Sequence, residues 1–396
     1  MESLDNVFAK AVAEKRVPGI AVAALNRDGS IIYKNSWGTV DIDDPSSAPM
    51  TSTTKIQIAS MTKVVVSVAA LQLLEQGKLS MNDLVEDYIP AWENITVLDG
   101  FDANDKPILR APKTKATTLH LFTHTAGPGA WFLNENLNKY SLLTGKPGQI
   151  WADPLHPDPL ASDPGTAWNY GHSTDYLGHV IEAISGLRLD VYIGQNILQP
   201  LGLTNTGLVS HEIHSHFRDP NDTITSTPPV ALDPSYPPFG GGYLVSTLDD
   251  YSNFLLTLVN YGTHPISGVT LLQPSTVKDY LFTDLLALAL SNSTACKNPN
   301  SGGPIPLWNS LTPSLSNSYE FLPGTAKGWS AGFLVNNEDI KGRRRKGGGT
   351  WAGIFNSFYW VDLEAGKLGV VFTNLLPFLD GEVLALFERL EREVYK

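Results

Sequence analysis

Ala59-Ser60-Met61-Thr62-Lys63 is the stretch whose reading decides the fold. It opens a helical run over residues 61–76 that Gly77 stops. With Ser60 at the helix start and Lys63 one turn on, hydroxyl and amine share a face and come within reach of each other. A serine hydroxyl is a weak nucleophile at neutral pH, and a lysine takes its proton only where burial or a nearby positive potential disfavours an ammonium. A helix N-terminus supplies such a potential. Alone, Ser-x-x-Lys is common, because an ordinary helix cap followed by a surface lysine produces it too. The surrounding sequence has to decide.

On the N-terminal side, Leu4, Val7, Phe8, Ala11 and Val12 repeat at helical spacing until Pro18 and Gly19 break the pattern. Residues 20–25 then read as a strand, Asp28 and Gly29 as a turn, and residues 31–33 as the returning strand of a hairpin. The C-terminal side mirrors this: residues 329–335, 358–361 and 368–372 read as strands, and Val383, Leu386, Phe387, Leu390 and Val394 as one face of a closing helix. Between the ends, helical stretches near 176–184 and 248–261 alternate with loops rich in proline and glycine. The long loops at 92–117, 130–164 and 291–327 have the length of lids or binding surfaces. The expectation is an α/β (α+β) protein. Residues 1–75 and 325–396 form an antiparallel sheet flanked by helices, and an all-helical insertion, 76–324, carries the lid-like loops.

The chain of 396 residues is 42% hydrophobic, enough for a large core. Its net charge of -12 argues against nucleic-acid or anionic-membrane partners, which require a basic face. The basic run Lys341, Arg343, Arg344, Arg345 and Lys346 reads as a solvated strand or turn. Cys296 is the only cysteine, so no intrachain disulfide is possible. The N-terminus has neither a basic start nor an apolar run, and the apolar stretch near Leu285 is short and broken by Asp284. A soluble cytoplasmic protein is expected, as a monomer or a dimer.

Several further blocks agree with Ala59-Ser60-Met61-Thr62-Lys63 in order and spacing. They are Gly77-Lys78-Leu79-Ser80 with Asp83, Val85 and Pro90; Thr123-His124-Thr125-Ala126-Gly127; Pro164-Gly165 leading to Trp168-Asn169-Tyr170; and Phe239-Gly240-Gly241-Gly242-Tyr243. Together they resemble the serine β-lactamases, penicillin-binding proteins and their esterase relatives. Val97-Leu98-Asp99-Gly100-Phe101-Asp102 and residues 168–171 are most similar to family VIII esterases and to fungal acyltransferases and esterases acting on statin-type polyketides. The resemblance implies a β-lactamase-like fold, with Ser60 as nucleophile, Lys63 as proton acceptor and Tyr170 as the third catalytic group, hydrogen-bonded to both. It departs from β-lactamases at His172, where those enzymes hold asparagine, and in having no Lys-Thr-Gly triplet. Trp351-Ala352-Gly353 aligns there, with Gly347-Gly348-Gly349 as the alternative. With the first alignment, the backbone N–H groups of Ser60 and Ile354 form the oxyanion hole. Trp131, Phe132, His172, Phe239, Trp351 and Gly353 are the expected substrate-binding residues.

These expectations describe hydrolysis of a small-molecule carboxylic ester, the acyl side chain of a bulky, statin-like polyketide alcohol, without cofactor or metal. The alternatives are acyl transfer to an alcohol, a β-lactamase, and a non-catalytic binder of the same fold. His124 invites a serine–histidine–aspartate triad, but the resemblance makes it structural. His211, Glu212, His214 and His216 lack metal-site spacing and read as a polar loop.

Overall fold

The apolar segments at the two ends of the chain meet in one sheet. In the computed structural model, which describes residues 2–146, 148–208, 213–230, 237–290 and 305–396, helix α1 (Leu4–Ala13) leads into strands β1 (Gly19–Asn26) and β2 (Ile31–Gly38). The C-terminal part adds β3 (Lys327–Trp329), β4 (Leu334–Asn336), β5 (Gly349–Gly353), β6 (Ser357–Asp362) and β7 (Lys367–Phe372). These seven strands lie in the order β3-β4-β5-β6-β7-β1-β2, every neighbouring pair antiparallel. The first hairpin therefore pairs with the last strand, as in Val22 opposite Val371.

Helices cover both faces, which is why β6 is buried at every position. Side chains alternate across a strand. Phe358 and Trp360 turn to helix α5 (Gly381–Val394), their rings 5.2 and 5.5 Å from Phe387. Tyr359 turns the other way, 5.7 Å from Tyr251 on helix α4 (Leu248–Val259). Helix α2 (Thr62–Glu75) is apolar almost all round, and it packs against helix α3 (Ser173–Ser185). No helix among the described residues is long and apolar enough to cross a membrane.

The structure departs from the sequence reading in several places. Residues 329–335 are two strands, not one: Ser330 Oγ accepts the N–H groups of Gly332 and Phe333 and turns the chain, while Ala331 and Phe333 stay buried and keep the stretch apolar. Residues 76–324 are not all helical. Val97–Phe101 and Pro107–Arg110 form a hairpin inside the expected 92–117 loop, turned by Asp102 Oδ1, which accepts from Asn104 N and Lys106 N at 2.8 and 3.0 Å. Ile213–Arg218 and Ile224–Val230 form another pair, so His214 and His216 lie on a strand rather than a polar loop. His216 is buried, and its Nδ1 lies 3.2 Å from the carbonyl oxygen of Asn374. His211, Glu212 and Cys296 lie outside the described residues, as does the 291–304 part of the third expected loop. The basic run is a turn, solvated at Lys341, Arg345 and Lys346 but not at its two middle arginines. Arg343 and Arg344 are buried against Glu391 of α5, with contacts of 2.6 to 2.9 Å, so partners far away in sequence override the charge pattern.

Candidate active site

Ser60 sits in a single 3-10 turn, Ala59–Met61, that runs directly into α2. Ala59 before it has φ of 43°, a left-handed conformation costing roughly 1–2 kcal/mol in a residue with a Cβ. The surroundings hold the turn. Ile58 N donates to Leu244 O at 3.1 Å, Met61 N donates to Ile58 O at 3.0 Å, and the Tyr251 hydroxyl donates to Met61 O at 3.0 Å. The end of β5 closes on the same turn: a Cβ on Gly353 would lie 2.4 Å from Ile58 O, so only glycine permits this approach. Gly348 and Gly349 are instead crowded by Arg344 and Phe333, and Gly347 has only Phe282 O nearby, so Trp351-Ala352-Gly353 is the triplet that meets the Ser60 turn.

Lys63 is buried, with Nζ 3.2 Å from Ser60 Oγ and 2.7 Å from the carbonyl oxygen of Gly241. The helical spacing thus puts amine and hydroxyl in contact. The face of the Tyr170 ring lies 4.9 Å from Nζ. Its hydroxyl accepts from Trp351 Nε1 at 3.0 Å, which differs from the expected bonding to Ser60 and Lys63. A ring positioned by packing explains the difference: Trp308, Trp351 and His124 surround it at centroid distances of 5.2, 5.1 and 4.8 Å. Catalytic hydrogen bonds commonly tighten only when substrate is present.

His124 is fully enclosed, its Nδ1 has no hydrogen-bond partner, and burial drives its pKa well below the ordinary value. It is a neutral wall residue with no bond to Ser60. Phe239 lies against Gly242, beside the Ala59 backbone. Phe132 reaches Tyr170 through Trp308, at 6.0 Å from that ring. Trp131 instead lines a neighbouring cavity with Tyr140, Lys146, His172 and Tyr176. A second cavity is lined by Gly129, Ala130, Trp168, Tyr170, Leu307 and Trp308.

One residue of this neighbourhood escaped the sequence reading. Asp175, in the first turn of α3, is buried. Its Oδ1 accepts the N–H of Gly241, and its Oδ2 accepts Ala152 N at 3.1 Å and lies 2.9 Å from His172 Nδ1. The available signal was an acidic residue three places after His172, but its partner at Gly241 is 66 residues away. Among the described residues, no group of three or more histidine, cysteine, aspartate or glutamate side chains could hold a metal ion.

The sequence matches the Beta-lactamase family over residues 4–392. It is 28% identical to monacolin J acid methylbutanoyltransferase of Aspergillus terreus, over 99% of this chain and 95% of that protein. Lovastatin esterase of Penicillium rubens is 25% identical, over 99% and 98%. The structure is similar to that of the LovD6 mutant of simvastatin synthase from Aspergillus terreus, with a TM-score of 0.81, 26% identity and coverage of 99% and 93%. EstCE1, a hydrolase with promiscuous acyltransferase activity, shares the fold with a TM-score of 0.72 at 20% identity, over 99% and 97%.

Proposed function

This chain belongs to the Beta-lactamase family, and from that premise we propose that it cleaves a carboxylic ester through an acyl-enzyme on Ser60. The observation that carries the reading is the 3.2 Å contact between Ser60 Oγ and the Nζ of the buried Lys63. In the first step Ser60 Oγ bonds to the ester carbonyl carbon while its proton passes to Lys63. The tetrahedral oxyanion is met by the N–H groups of Ser60 and Ile354, each worth about 3 kcal/mol to such an intermediate. Collapse breaks the bond to the alcohol, which leaves with a proton delivered through Tyr170. Water then attacks the acyl-serine, giving the free acid and restoring Ser60.

The substrate class we propose is the acyl ester of a bulky, statin-like alcohol, as the relatives' names suggest, with Trp131, Phe132, His172, Phe239, Trp351 and Gly353 shaping its pocket. No cofactor enters the reaction. A cytoplasmic setting suits a chain whose single cysteine cannot form an intrachain disulfide. Acyl transfer to an alcohol in place of water is the second reading. It is favoured by the indole rings of Trp168, Trp308, Trp329 and Trp351 around Tyr170, which offer an alcohol acceptor apolar surface to bind against.

The test is turnover of a chromogenic short-chain ester by wild type and Ser60→Ala, followed by product analysis with added alcohols. Loss of about a thousandfold or more in kcat for Ser60→Ala is expected, on the scale of removing a nucleophile that works with a base. Free acid as the main product supports hydrolysis, and a new ester supports transfer. Undiminished turnover in Ser60→Ala contradicts both.

A further inference from the structure

The geometry assigns to Asp175 the part of a positioning residue that sets the direction of the Lys63 amine through the backbone of Gly241. This deepens the acyl-enzyme reading and rests on it. An amine that takes a proton from Ser60 must aim its lone pair at Oγ, so its N–H groups have to be held elsewhere. Lys63 donates to Gly241 O at 2.7 Å, shorter than its 3.2 Å contact with Ser60, so this carbonyl is what orients Nζ.

Gly241 is in turn held by a side chain at its N–H, one residue's backbone away from the carbonyl that Lys63 uses. Gly241 N donates to Asp175 Oδ1, so the same residue's N–H and carbonyl oxygen are gripped by carboxylate and amine in turn. The other carboxylate oxygen is tied to Ala152 N and to His172, which anchors Asp175 to the loop before α3 and to the residue two places after Tyr170. The loop lies flush on the start of α3. A Cβ on Gly240 would be 2.2 Å from Thr174 O, and one on Gly241 would be 2.6 Å from Asp175 Oδ1 and 3.3 Å from Lys63 Nζ. No side chain fits between carboxylate, loop and amine, so their spacing is fixed by contact. An aspartate serving only its own helix would cap the first turn of α3. Here both oxygens bond outside that turn's backbone, to Gly241, Ala152 and the imidazole of His172.

Removing the carboxylate frees Gly241 to rotate, and the amine with it. Displacement of a catalytic group by about 1 Å costs on the order of 100-fold in rate. The experiment is the rate of Ser60 acylation by a chromogenic ester, followed by intact-mass spectrometry per folded molecule, for wild type, Asp175→Ala and Asp175→Asn. Expected are a roughly 100-fold slower acylation in Asp175→Ala and a roughly tenfold slower one in Asp175→Asn, with the half-saturating ester concentration within about twofold of wild type. Asparagine keeps an oxygen for Gly241 N–H but turns an N–H toward Ala152 or His172, hence the partial rescue. Acylation of Asp175→Ala within threefold of wild type overturns the assignment, as does a defect confined to the half-saturating concentration. If Asp175→Ala does not fold, the isosteric Asp175→Asn decides alone, and a wild-type rate there overturns it. Absence of an adduct on wild type overturns the acyl-enzyme reading as well, which separates the two failures.

Discussion

At the scale of single residues, strain and contact are concentrated at the nucleophile. Ala59 holds φ of 43° immediately before Ser60, where a Cβ is penalised and glycine is not. Ala59→Gly should therefore raise unfolding stability by about 1 kcal/mol, read as a higher denaturation midpoint at unchanged m-value. An equal or lower midpoint would mean that this backbone carries no strain. The placements of Ser60 and Lys63 were legible because the two residues lie within one helical turn, where spacing alone dictates contact. Trp351-Ala352-Gly353 was one of two triplets the sequence left open, the other being Gly347-Gly348-Gly349. The Trp351 bond to Tyr170, in contrast, joins residues 181 positions apart, and no local pattern encodes it. Asp175 was missed for the same reason, since its partner Gly241 belongs to a distant loop.

At the scale of elements, the strands and helices with strong periodicity stand where the sequence put them: α1, β1, β6, β7 and α5. Two of the failures share a cause, which is that polarity was read locally. Asp102 and Asn104 looked like loop residues and prove to be the turn of a hairpin, and Arg343 and Arg344 looked solvated and prove to dock α5. That docking has measurable consequences. Burial pushes the Glu391 carboxyl up, but the charges and hydrogen bonds of Arg344 and Arg343 outweigh it and hold the pKa below the ordinary 4.5. A lowered carboxylate pKa contributes stability that is complete above the unfolded value and lost as pH falls through the folded one. The wild type should accordingly weaken as pH drops below 4.5. Glu391→Leu should cost about 3–5 kcal/mol at neutral pH, because it leaves Arg344 buried without its partner. It should also flatten that acid limb, and denaturant melts from neutral pH to the acid range would show both. A variant as stable as wild type would contradict the docking role.

At the scale of the whole molecule, the sheet joins the two ends of the chain and presents the Ser60 turn where the end of β5, the start of α3 and the Gly241 loop converge. The sequence showed the sheet through its apolar strands and the site through ordered motifs. The convergence itself depends on glycines at 240, 241 and 353 that let backbones touch, a property of tertiary packing rather than of any segment. The account stands on one covalent event at this convergence. Brief incubation with a chromogenic short-chain ester, acid quenching and peptide mapping by mass spectrometry would locate it. A mass gain equal to the acyl group on the peptide containing Ser60, absent from Ser60→Ala, is the predicted result. An acyl group on any other residue, or ester turnover that survives in Ser60→Ala, would contradict the account.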